Sequence, residues 1–311
     1  MALKALMYHY VRSDREDLPY FKHLHIEDFR RQLDWLAASE GFAERAAFME
    51  ALEGGPLPDG VVLTFDDGFA DHHDHVLPEL ERRGLWGIFY VPTGPLAGET
   101  MLDVHRVHLL LGRHDATTVA ARLQHEISDD MIDQEKKEEF RKQTYKWQRN
   151  PDDVLFVKRM LNYFLLPQHR GAVLDELMKH FFGAEEETLL AELYMKPAQV
   201  RALHEAGMIV GSHTVSHPVM SRLPTAEQER EIADSVTFLE NILEERIITF
   251  CYPYGGKATF TDETERLLTK HGIRFSFAVE PRDIAANDLR ARPQALPRYD
   301  CNMFPHGQCR N

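Results

Sequence analysis

A chain of 311 residues with 43% hydrophobic and 28% charged residues has the make-up of a globular protein, large enough for one α/β-barrel-sized domain or two smaller ones. A formal net charge of −14 argues against a nucleic-acid partner or an anionic membrane surface, since either needs clustered lysines and arginines. No stretch approaches about 18 continuous apolar residues, so no membrane insertion is expected. The run Met1–His9 is too short for a signal peptide and has no cleavage site. The cysteines Cys251, Cys301 and Cys309 are odd in number and sparse, which fits a reducing compartment and leads us to expect a cytoplasmic protein.

In chain order, Leu3–Val11 reads as a strand and Ile26–Ala38 as a helix with Phe29, Leu33, Leu36 and Ala37 at helical spacing. Val61–Phe65 is a predicted strand. Leu77–Arg83 is a helix stopped by Gly84, and Trp86–Val91 a strand stopped by Pro92. Further on, Ala198–Ala206 is helical, Met208–Gly211 a strand, Thr225–Glu244 a long amphipathic helix and Ile247–Tyr252 a strand. Asp262–Lys270 is a helix and Phe275–Val279 a strand. This alternation predicts an α/β fold with a parallel sheet. Residues 100–195 break the rhythm. They lack strand signals, carry the mixed-charge stretch Asp129–Glu139, and follow it with an apolar helical group including Val154, Leu155, Met160, Leu161, Phe164 and Leu165. This helical insertion reads equally as a lid, as a surface for homo-oligomer formation, or as a packed satellite layer.

The chemistry-bearing residues lie at strand ends. Val61-Val62-Leu63-Thr64-Phe65 runs into Asp66-Asp67-Gly68. Neighbouring strand residues point to opposite faces, so the two carboxylates share a site only where the strand ends and Gly68 lets the chain turn. One could then hold a metal while the other moves protons. After the strand ending at Gly211 come His213 and His217. A single helical turn would bring imidazoles at i and i+4 to one ion, and two His with one Asp leave open positions, as a hydrolytic metal requires. The cluster His72-His73-Asp74-His75 looks metal-like, but successive residues on a helix face different ways, so we expect it at the surface.

Thr64-Phe65-Asp66-Asp67-Gly68, His213-Thr214-Val215-Ser216-His217 and Tyr252-Pro253-Tyr254-Gly255 together resemble, in order and approximate spacing, the motifs of the NodB-type polysaccharide deacetylases, carbohydrate esterase family 4. The resemblance implies an irregular (β/α)7 barrel, here a single domain over residues 1–311 with residues 100–195 inserted. It also implies a divalent ion, with Zn²⁺ favoured, held by Asp67, His213 and His217. Asp66 would be the base and the backbone N–H of Tyr254 the oxyanion donor. Two departures matter. Where many members have an Arg before the third motif's Pro, this chain has Cys251, and the late segment Leu296-Pro297-Arg298-Tyr299-Asp300 lacks the His that many members use as acid. The branch that deacetylates poly-N-acetylglucosamine likewise lacks that Arg and takes its acid from a Tyr-His pair on the first strand. Tyr8-His9 matches that pair, so His9 is the candidate acid, with His25, His75 and His306 in reserve. Arg298 either orients Asp66 or binds a substrate anion. The expected activity is removal of an N-acetyl or N-formyl group from an amino sugar, small or nucleotide-linked, in surface glycan biosynthesis. A polysaccharide or another amide is the alternative substrate. A non-catalytic, metal-retaining carbohydrate-binding protein is a further reading, disfavoured by the presence of Asp66.

Overall fold

The computed structural model describes residues 2–98, 101–144 and 150–309. Nine strands are found among them: β1 Leu3–Tyr8, β2 Val11–Arg12, β3 Leu24–His25, β4 Gly60–Phe65, β5 Gly87–Val91, β6 Ile209–Ser212, β7 Thr249–Cys251, β8 Phe275–Phe277 and β9 Tyr299–Asp300. Seven form one sheet in the order β8-β7-β6-β5-β4-β1-β9, with every pairing parallel. Parallel pairing demands a crossover between strands, and the helices Leu77–Arg83, Pro197–Glu205, Thr225–Leu243 and Asp262–Lys270 lie on those crossovers. Helix Leu77–Arg83 ends as predicted, with Gly84 in the left-handed region at φ 64°.

Alternate strand residues feed two apolar layers. Leu6, Tyr8, Leu63, Phe65, Phe89, Val91 and Phe250 pack against helix residues such as Phe29, Leu33, Leu80, Leu203, Ile232 and Leu268. The opposite set, Ala5, Val62, Ile88, Tyr90, Ile209, Cys251 and Phe277, packs on the inner face with Leu296. The sheet curls until one segment joins its two edges. Leu296 exchanges backbone hydrogen bonds with β8, donating to Ser276 (2.8 Å) and accepting from Ala278 (2.9 Å), and Tyr299–Asp300 pairs with Leu6–Met7 of β1. Arg298 lies between these two attachments. The result is the curled seven-stranded barrel expected from the sequence.

One local reading differs, and three short elements carry no sequence signal. The first strand stops at Tyr8, whose carbonyl takes the last ladder bond from Asp66 N–H (2.9 Å). His9 and Tyr10 leave the sheet before Val11–Arg12 pairs with β3. The helices Arg45–Leu52 and Ala286–Ala291 and the two-residue strand β9 are too short to give a periodic signal.

By compactness the chain divides into two units, one of Met1–Ser13, His23–Glu99 and Leu193–Arg310 that holds the barrel, the other of Asp14–Lys22 and Thr100–Glu192. The second is helical. Asp103–Arg113, Ala116–Glu126, Gln134–Gln143, Asp152–Arg159 and Pro167–Phe181 surround a core that includes Val107, Leu110, Val119, Leu123, Val157, Leu161, Leu174 and Leu177. Asp14–Lys22 joins this unit through Tyr20 N–H donating to the Gly112 carbonyl (2.8 Å). Among the described residues no helix is long and apolar enough to cross a membrane.

Candidate active site

Along β4 the inward residues are Val62, Thr64 and then Asp66, one position past the strand end, so alternation carries Asp66 into the barrel. Asp67 should face outward. It is instead swung to the same end by a left-handed backbone at φ 79°, with Gly68 following at φ 65°. The same device recurs at Thr214 (φ 68°), His217 (φ 57°) and Tyr254 (φ 62°). Non-glycine residues rarely adopt this region, and such strain collects where a site overrides local preference. All three motifs carry it.

Asp67 Oδ1 lies 3.3 Å from His213 Nε2 and 3.4 Å from His217 Nε2, and all three side chains are buried. Two ligands held about 2.0–2.1 Å from a tetrahedral ion stand roughly 3.3–3.4 Å apart, so the spacing fits one divalent cation. The imidazole Nδ1 of His213 pairs with the Cys251 carbonyl at 2.7 Å, which fixes Nδ1 as donor and turns the Nε2 lone pair toward Asp67. Burial disfavours charge on His213, yet Cys251, Asp67 and Asp66 outweigh it and lift its pKa well above the ordinary value. The surroundings favour positive charge here, which a cation supplies.

His213 and His217 do not share a helical turn as the spacing suggested. The segment from His213 to Val219 is an irregular loop. The imidazoles converge because Thr214 and His217 are left-handed and Thr214 Oγ1 accepts the His217 N–H (2.9 Å). The N–H groups of Thr93 and Gly94 donate to the carbonyls of Thr214 (3.0 Å) and Val215 (2.9 Å), and Glu231 binds the loop from its other side. Nothing in the sequence pattern marks Glu231, which sits on an ordinary amphipathic helix.

Asp66 is 2% exposed and meets Arg298 in a two-pronged pair, with both N···O distances 2.8 Å. The same guanidinium donates to Thr64 Oγ1 (3.0 Å) and lies 2.9 Å from Cys251 Sγ. Burial alone would raise the Asp66 pKa, but the Arg298 charge and its hydrogen bonds hold the carboxyl below the ordinary carboxylate range. Arg298 is 1% exposed, so its guanidinium is committed to Asp66 in the barrel interior and not to a ligand at the surface. Cys251 leaves room for it, because the small thiol stands where a long side chain on β7 would compete for the same carboxylate.

His9 places Nε2 3.9 Å from Asp67 Oδ2 with its side chain 40% exposed, so it stands at the rim. Its carbonyl accepts the Nε2–H of His72 (2.9 Å). His72 is fully buried, contrary to the surface reading, because residues 72–76 form a π-turn that rotates it beneath Phe65, Phe69 and Phe89. The ring of Tyr254 lies 5.0 Å from that of His217. Its backbone is set by Gly255, whose carbonyl accepts Val279 N–H (2.7 Å) and where a Cβ would come within 2.5 Å of Val279 Cγ2. Of the reserve histidines, His25 caps helix Ile26–Ser39 by accepting Glu27 N–H (3.2 Å), and His306 is exposed. His75 is partly buried on the π-turn.

A family model described as polysaccharide deacetylase matches residues 172–276, which contain His213, His217 and Tyr252–Gly255. YxkH of Bacillus subtilis (strain 168), named as a polysaccharide deacetylase, is 25% identical over 88 residues, 28% of this chain. The match spans only 30% of that curated relative's length. The fold is similar to that of the Streptococcus pyogenes deacetylase PplD in complex with acetate, with TM-score 0.59 and 16% identity over 99% of this chain and 96% of that one. It is also similar to IcaB from Ammonifex degensii, with TM-score 0.57 and 18% identity over 96% and 91% of the two chains. At such identities the structural likeness shows the fold alone. The chain is thus similar to the NodB-type polysaccharide deacetylases of carbohydrate esterase family 4 in its three motifs, in the family model over residues 172–276 and in fold.

Proposed function

We propose that the protein is a metal-dependent hydrolase that removes an N-acyl group, acetyl or formyl, from an amino sugar. The observation that carries this reading is the convergence of Asp67, His213 and His217 at 3.3–3.4 Å beside the ion-paired Asp66. Those three residues would hold the ion, with Zn²⁺ the favoured metal for a donor set of two imidazoles and a carboxylate. A divalent ion so held polarises an acyl carbonyl and lowers the pKa of a nearby water. Asp66, kept ionised by Arg298, accepts the proton of the attacking water through a lone pair the guanidinium does not use. The N–H of Tyr254 donates to the oxygen that gains charge. His9, exposed enough to recover protons from solvent, gives one to the departing nitrogen as the C–N bond breaks. The products are a free amino sugar and a carboxylate.

A small or nucleotide-linked amino sugar used for surface glycans is our first substrate reading, and a polysaccharide the second. The family's description and that of the Bacillus relative favour the second. We place the protein in the cytoplasm on the strength of its three free cysteines, one of them exposed. The test has two arms. N-acylated sugars, nucleotide sugars and polymers are screened for released acid, and bound metal is measured in wild type, His213→Ala, His217→Ala and Asp66→Asn. We expect about one ion per chain, lost in the histidine variants. It should be kept in Asp66→Asn with turnover down about 10²-fold or more. Metal retained in both histidine variants would overturn the site.

A further inference from the structure

The loop that carries His213 and His217 is not a secondary-structure element, so its shape must be imposed from outside. Two of its residues, Thr214 and His217, sit in the left-handed region without glycine's freedom. Most of what restrains them is neutral: Ser212 Oγ accepts Thr214 N–H (3.3 Å), Thr214 Oγ1 accepts His217 N–H, and the backbone of residues 93–94 meets the loop carbonyls. Glu231 supplies a charged restraint. Its Oε2 accepts both the Val215 N–H (2.8 Å) and the Ser216 N–H (2.9 Å), and its Oε1 accepts the Ser216 hydroxyl (2.6 Å). One turn along the same helix face, Ser235 Oγ contacts Ser212 Oγ (2.7 Å) and donates back to the Glu231 carbonyl (2.7 Å). One helical turn thus holds the Ser212 side chain just before His213 and the Val215 and Ser216 N–H groups just before His217.

We propose, on the footing of the metal site argued above, that Glu231 is a positioning residue which sets the spacing of the two imidazoles and thereby the metal affinity. Its bonds run to the backbone between the two ligands, so its removal frees Val215 and Ser216 and lets the flanking Thr214 and His217 relax toward right-handed geometry. That relaxation swings His217 away from the Nε2–Asp67 spacing of 3.4 Å. Three hydrogen bonds to one carboxylate are charge-assisted and stronger than neutral ones, and a glutamine keeps the shape while losing the charge and one acceptor oxygen.

The test titrates the metal-stripped full chain with Zn²⁺ against a chromophoric chelator, and separately records the melting temperature of the same metal-free samples. Glu231→Gln should weaken Zn²⁺ affinity by about 10- to 100-fold, the range seen when groups that orient metal ligands are lost. Ser216→Ala, which removes one of the three bonds, should weaken it less. His213→Ala is the control for the site itself, and wild-type affinity there would overturn the metal reading rather than this one. If His213→Ala loses Zn²⁺ while Glu231→Gln and Ser216→Ala bind it as tightly as wild type, the positioning role is overturned. A lowered melting temperature in those two variants would then mark Glu231 as a staple for stability alone. Should Glu231→Gln fail to fold, unchanged affinity in Ser216→Ala overturns the proposal by itself.

Discussion

The interior of the barrel and its rim handle protonation in opposite ways. Below the strand ends, Asp66 is locked to Arg298 among Thr64, Cys251 and Tyr90, with almost no access to water. At the rim His9 is half-exposed, near Asp67 but not bonded to it at hydrogen-bond length. A base that must be ionised when the water attacks gains from a partner that cannot lose its own charge, and arginine meets that need. An acid that must be reloaded every turnover gains from solvent contact. The different burial of the two groups therefore matches the different demands of the roles proposed for them.

The comparison breaks most visibly at Arg298. Deleting its guanidinium as Arg298→Met leaves Asp66 charged, buried and unpaired, a loss of about 3–5 kcal/mol for breaking a buried pair from one side. Chemical denaturation should register that loss, and turnover should fall with it. The double variant Asp66→Asn with Arg298→Met should regain most of the stability while remaining inactive, because two uncharged groups of similar volume no longer need each other. Arg298→Met with wild-type stability would mean that the ion pair is not what holds Asp66 in place.

How far the sequence revealed this arrangement depends on how local each contact is. Asp66 and Asp67 follow from a strand that ends at two carboxylates and a glycine, and the helix Asp262–Lys270 and the end of Leu77–Arg83 follow from periodicity and Gly84. The Asp66–Arg298 contact is legible only as one of two alternatives for Arg298, because 232 residues separate the partners and only the closing of the barrel joins them. His72 departs from the surface expectation because its place on the π-turn of residues 72–76 packs it against Phe65, Phe69 and Phe89. The His213–His217 spacing suggests a shared helical turn, but i and i+4 converge here through left-handed residues instead. Glu231 was invisible because a glutamate on an amphipathic helix carries no mark of what it binds.

At the rim, His9→Ala should leave metal content and melting temperature nearly unchanged while lowering kcat on amides by roughly 10²–10⁴, the scale of a lost general acid. The loss should shrink on an ester, whose alkoxide leaves more readily unprotonated than an amine does. Equal losses on both substrates, with a lowered melting temperature, would make His9 a packing residue and remove the rim from the comparison.

The smallest effect sharpens the boundary between the two regions, where His72 is buried like the interior yet anchors the rim through the His9 carbonyl. Burial lowers the His72 pKa, against the opposing pull of that carbonyl, so the folded chain holds the imidazole neutral. In the unfolded chain it titrates near 6.5. As pH falls from about 6.5 toward the lowered folded value, the unfolded state takes up a proton the folded state refuses, and stability declines. One proton sets the limit at about 1.4 kcal/mol per pH unit, and below the folded pKa this group causes no further loss. His72→Phe keeps an aromatic ring among Phe65, Phe69 and Phe89 but cannot titrate, so its stability should fall less steeply with pH than that of wild type. It also lacks the bond to the His9 carbonyl, so kcat on an amide should drop, though by less than in His9→Ala. Parallel stability curves for wild type and His72→Phe from pH 6.5 downward would show that His72 is not held neutral in the fold. An unchanged kcat would show that His9 keeps its place without the carbonyl anchor.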